Sequence, residues 1–115
     1  MLYLMLIYQD DAKMKAASPA EQEAIGKGYG ELNAFLAQSG ASRGTASWPV
    51  GVVTVRMQDG NDVVADGPLA GTGERVAGFF LVEAADRDAA VEIAKRVPGR
   101  QFSAVEIRPV QVQGQ

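Results

Sequence analysis

Between Leu2 and Tyr8 the chain reads Leu-Tyr-Leu-Met-Leu-Ile-Tyr, with no polar break. A half-exposed strand alternates apolar with polar residues, so an unbroken apolar run marks a central strand buried on both faces. The run is far too short to span a bilayer. It also lacks the basic flank and small-residue cleavage site of a signal peptide, so a cytoplasmic location is expected. This strand sets a demand on the rest of the chain, because both of its faces need a cover.

After Gln9-Asp10-Asp11, the stretch from Ser18 to Gly40 predicts a helix. Ser18 and Glu21 have capping-box spacing, and Pro19 sits where the first turn needs no N–H. Ile25, Leu32, Phe35 and Leu36 recur at helical spacing, and Gly40 is a C-terminal stop. Gly26, Gly28 and Gly30 each cost about 1 kcal/mol relative to alanine. They fit close packing against a sheet or a partner better than a ligand approaching the backbone. Ala41 to Val50 is small, polar and irregular; it reads as a loop and holds Trp48.

A hairpin follows. Val52, Thr54 and Arg56 alternate, Asp59-Gly60-Asn61 turns, and Val63-Val64 returns. Val76 to Ala84 is the next strand, with Gly78 marking a bulge or a close backbone approach. Asp86 caps a helix whose Ala90, Val91, Ile93, Ala94 and Val97 form an apolar stripe, ended by Pro98-Gly99. In the last strand, Phe102 to Val110, Val105 and Ile107 point one way and Glu106 and Arg108 the other.

The order βαβββαβ predicts an α+β, ferredoxin-like domain over residues 1–110, with 111–115 a disordered tail. Two helices cover one face of an antiparallel sheet and leave the other bare. A bare apolar face of that size calls for a cover, most simply the same face of a second copy. The expected assembly is therefore a homodimer, a dimeric α+β barrel with a shared interior.

Composition narrows the chemistry. The chain has 115 residues and a net charge of −3, with its basic residues scattered, which argues against nucleic acid as a partner. It has no cysteine and no histidine. Thiolate chemistry, the usual neutral-pH base and the commonest zinc ligands are therefore excluded. No metal and no cofactor is expected, and no membrane partner.

Asp66-Gly67-Pro68 interrupts the apolar pattern between two strands. As a turn, it has an Asp able to cap backbone N–H groups, a Gly free to take positive φ and a Pro that ends a ladder. As a site, Asp66 could point into a barrel mouth and orient a ligand or accept a proton, its pKa raised if Glu83 or Glu106 lay near. Asp66 is the one catalytic candidate. The candidate ligand-binding set adds Arg75, Tyr8, Tyr29, Glu106 and Arg108. Each has an ordinary structural reading too: a solvated arginine, core tyrosines, and a surface Glu–Arg pair. Gly71-x-Gly73 has no Walker lysine and precedes a strand, so it is not a phosphate loop.

The chain resembles the YCII-related family, in its DGPF-type branch. The resemblance is carried by Asp66-Gly67-Pro68-Leu69, Ala77-Gly78-Phe79, the acid-capped helix from Asp86 to Pro98, and Glu106-Ile107-Arg108-Pro109. The N-terminal strand and the Ser-Pro-Ala-Glu helix start fit as well. It implies a ferredoxin-like fold dimerising into an α+β barrel. It also implies that the His–Asp pair of some relatives is missing here, and that contact with an extracytoplasmic-function sigma factor is a conceivable role. Leu69 replaces the usual aromatic residue, and Gly71-Thr72-Gly73 replaces a more charged stretch.

Three functions are expected from these readings. One is a non-catalytic small-molecule-binding or regulatory dimer. Another is a carboxylate-based hydrolase, isomerase or cofactor-free oxygenase centred near Asp66, which rests on fold analogy alone. A purely protein-binding role, with a sigma factor as one partner, is the third.

Overall fold

A computed structural model describes residues 1–47, 51–69 and 73–111. Trp48, the Gly71-Thr72 part of the glycine loop and residues 112–115 of the tail lie outside this description. The first strand, β1 (Leu2–Asp10), has Tyr3, Met5 and Ile7 buried and Leu2, Leu4, Leu6 and Tyr8 half-buried in strict alternation. It leads into a short helix, α1 (Asp11–Ala16), whose N-cap Asp10 accepts from Lys13 N. The long helix α2 (Pro19–Ser39) starts at a complete capping box: Ser18 Oγ accepts from Glu21 N, and Glu21 Oε1 accepts from Ser18 N. It stops at Gly40, which takes the left-handed conformation with φ 69°.

The next element differs from the expected loop. Ser42–Ser47 is a strand, β2, paired with the later strand β5 (Glu74–Glu83). Apart from Arg43 its residues are small, and no apolar alternation betrays it. Backbone pairing with β5 and a bond donated by Thr45 Oγ1 to Phe79 O hold it in place. The predicted hairpin is present as β3 (Val53–Gln58) and β4 (Asn61–Asp66), joined at Asp59 and Gly60, both with positive φ. It pairs with itself and forms a separate two-stranded sheet. The remaining elements are α3 (Arg87–Ala94), capped by Asp86, and β6 (Val105–Val110).

The main sheet is antiparallel with order β2-β5-β1-β6, which puts β1 at its centre beside β5. That is the ferredoxin-like α+β arrangement, with β2 supplying the strand that the hairpin was expected to supply. Gly78 sits at a register shift between β1 and β5, where a bulge was anticipated. Tyr3, Met5, Ile7, Phe80 and Val82 of the sheet form one core with Leu32 and Leu36 of α2 and Ala90, Ala94 and Val97 from α3 and its end. Both longer helices therefore cover the same face. Of the three helix glycines, only Gly28 is pressed: an added Cβ would lie 2.8 Å from Pro98 Cβ. That one contact is with the turn after α3 and not with the sheet or a partner as expected, and Gly26 and Gly30 meet nothing within 4 Å.

Candidate functional site

The residues singled out by sequence fall into three places. Asp66 and Arg75 come together at the base of the hairpin. Gly67 and Pro68 follow β4, and with Val52, Val53, Leu69 and Val76 they wall a largely apolar groove of about 810 Å³. Asp66, Arg75 and Asp11 supply its charges. Arg75 Nε donates to Asp11 Oδ2 at 2.6 Å, and Gln9 Nε2 donates to Asp11 Oδ1 at 2.8 Å. The Arg75 bond holds the Asp11 carboxyl below the usual carboxylate range. Asp11 is the residue that sequence reasoning missed. Its partner lies 64 positions away, and no local spacing connects them.

The turn itself is built differently from a side-chain-capped turn. Gly67 N donates to Val52 O at 2.7 Å, Thr54 Oγ1 donates to Gly67 O at 2.7 Å, and Gly67 has φ 103°. An Asx turn needs an N–H two residues on, and there Pro68 has none. Gly67 N is already committed. The Asp66 carboxylate is exposed and accepts no hydrogen bond among the described residues. Backbone pairing and glycine make the turn; the Asp66 side chain is not needed for it.

Tyr8, Glu106 and Arg108 gather on the sheet face away from the helices. Register places Glu106 beside Leu6 and Arg108 beside Leu4. Arg108 Nε donates to Glu106 Oε1 at 2.6 Å. Glu106 raises the Arg108 pKa further, and Tyr8 lies near enough to add to that shift. The ion pair is the ordinary surface reading of those residues. Its neighbours Leu2, Leu4, Leu6, Phe79 and Leu81 make this face apolar and half-exposed. Val76, on the groove wall, is the cross-strand partner of Tyr8, so the groove adjoins this face.

Tyr29 stands apart, on the helix side. It stacks on Phe80 with centroids 6.5 Å apart, and burial raises its hydroxyl pKa. Glu83 lies near the far end of β5 from Arg75 and pairs with the N-terminal ammonium of Met1, which lowers its pKa. Along a strand, the eight residues from Arg75 to Glu83 span roughly 26 Å, so Glu83 is no neighbour of Asp66. Among the described residues, no cluster of three acids is placed to hold a metal ion, and no helix is long and apolar enough to cross a membrane.

With this geometry in view, two comparisons are informative. A family model described as the YCII-related domain matches residues 1–112. A protein of Rhizobium meliloti (strain 1021), itself described as uncharacterized, is 29% identical over 114 residues, which is 96% of this chain and 92% of the relative.

Proposed function

The chain belongs to the YCII-related family, and from that premise we propose that it is a cytoplasmic homodimeric module that binds a small molecule without transforming it. Asp66-Gly67-Pro68-Leu69 supports a place in the DGPF-type branch. The half-exposed Leu2, Leu4, Leu6, Phe79 and Leu81 support a dimer in which the two bare sheet faces meet. The observation that carries the binding role is the groove at the hairpin base. Its volume is in the range of small-molecule sites, its walls are aliphatic, and its polar groups stand at few points.

The groups there suit recognition more than proton transfer. The Arg75 charge is balanced by Asp11, which fixes its guanidinium in place. Among the described residues the Asp66 carboxylate has no bond to the fold, and it can meet an amine or hydroxyl of a ligand whose apolar body lies against Val52, Leu69 and Val76.

Native mass spectrometry of the freshly purified protein tests this. The expected spectrum shows twice the chain mass plus a reproducible adduct. Asp66→Asn is expected to lose the adduct while keeping its melting temperature within about 1 °C, because the carboxylate makes no bond within the described fold. An adduct retained by Asp66→Asn would remove the charge from recognition. A bare dimer would count against a tightly held ligand and turn attention to protein partners, a sigma factor among them.

A further inference from the structure

The β3–β4 hairpin presents an amphipathic ribbon whose apolar side is largely uncovered by the described residues. Cross-strand register puts Val53, Val55 and Met57 on one face with Val64, and Thr54, Arg56 and Gln58 on the other with Val63 and Ala65. Val53 is 54% exposed, Val55 65%, Met57 72% and Val64 67%. Period-two alternation of this kind is the pattern of a strand with one face buried. Among the described residues nothing buries it. A two-stranded ribbon on its own is also marginally stable in water.

The molecule's shape agrees. Its radius of gyration is 16.3 Å and its extents are 49 × 45 × 20 Å. A compact chain of this length has a radius of about 13 Å. The ribbon is a projecting arm.

We infer that this arm is an intersubunit arm, its Val53–Val55–Met57–Val64 face seated on the body of a second copy of this chain at the margin of the bare sheet face. The inference rests on the homodimer reading above and adds a contact to it. Area favours that occupant. Apolar side chains exposed to this degree offer on the order of 100 Å² each. With Val52 and Leu69 at the base, also exposed, the arm offers several hundred Å². A stable interface takes about 800 Å² from each partner. The sheet face and the arm together reach that scale, and one two-fold association covers both.

Charge favours arm-on-body over arm-on-arm. The apolar side of the ribbon is bracketed by Asp62 and Asp66, the cross-strand partners of Met57 and Val53, with no base on that side. Stacking two such sides would crowd four carboxylates together. The sheet face instead carries the Glu106–Arg108 ion pair, whose two charges cancel and so do not repel the arm's carboxylates.

Photo-crosslinking of the full chain tests the placement. Met57 is replaced by the photoreactive residue p-benzoylphenylalanine, and the irradiated product is mapped by peptide mass spectrometry with mixed isotope-labelled and unlabelled chains. The expected product has twice the chain mass and joins the arm of one copy to the sheet of the other. Arm-to-arm products would overturn the placement. If the protein sediments as a dimer yet no intermolecular product forms, the arm contact fails and the sheet-face dimer survives. If wild type sediments as a single chain at micromolar concentration, both fail. As a second measurement, Val55→Asp with Met57→Asp is expected to weaken the dimer more than about a hundredfold with an unchanged far-UV spectrum. An unchanged dimer constant would overturn the inference.

Discussion

The helix-side face of the four-stranded body and the hairpin arm are written in the same sequence idiom, yet only the former is covered by the described residues. In the body, Met5 and Val82 are fully buried beneath α2 and α3. In the arm, Val55 and Val64 face each other in register with most of their surface exposed. A strand's alternation therefore says that a face is to be covered, but not by which molecule. The body's core satisfies its pattern internally, and the arm's pattern is not satisfied by the described residues.

The largest effect expected from this contrast is in the core. Leu32→Ala removes a side chain that is 2% exposed, and should cost about 2–5 kcal/mol in denaturant unfolding. Amide exchange supplies the counterpart in the arm. In dilute solution β3 and β4 should exchange far faster than β1 and β5, and should slow as concentration rises. Equal protection of arm and body at all concentrations would break the comparison.

The next effect separates glycines that look alike in sequence. Gly28→Ala meets Pro98 at 2.8 Å, and should destabilise by about 1–3 kcal/mol. Gly26→Ala and Gly30→Ala meet nothing, and should each stabilise the helix by about 0.5–1 kcal/mol. Thermal melts of the three single variants give the sign of each. Ser18→Ala, which removes the acceptor for Glu21 N, should cost about 1 kcal/mol.

The smallest effect is in acid. Asp11, Glu21 and Glu83 all have lowered pKa values, through Arg75, the Ser18 backbone N–H and the N-terminal ammonium respectively. A folded-state pKa below the unfolded one means that the unfolded chain binds more protons on the acid side. The stabilisation is thus full above the ordinary carboxylate range, about pH 4–5, and is lost as pH falls through the folded values. Since all three groups are solvent-accessible, the loss is small. Glu21→Gln keeps the capping bond and removes that titration, so its acid limb should be shallower than wild type.

Much of the body was legible because its signals are local. The capping box at Ser18 and Glu21, the Gly40 stop, the Asp59-Gly60 turn and the Asp86 cap each act within a few residues. β2 was not legible, because Ser-Arg-Gly-Thr-Ala-Ser forms a strand mainly through the backbone bonds that β5 offers and has no apolar alternation of its own. The short helix α1 was missed for a related reason: it buries no residue and so leaves no apolar stripe. The site divides in the same way. The Glu106–Arg108 pair is visible at a spacing of two, whereas Asp11–Arg75 exists only once β1 and β5 are paired.

The sheet's two outer strands have a consequence for how the molecule can associate. β6 contains Pro109, which has no N–H to offer a new strand, and β2 is interrupted by a register shift beside Gly44. Neither rim is a clean template for another chain's backbone. Lateral growth, the route to fibres, is obstructed on both sides. The broad faces of the sheet, not its rims, are left as the surface on which another copy could stack, and such stacking would close at two members.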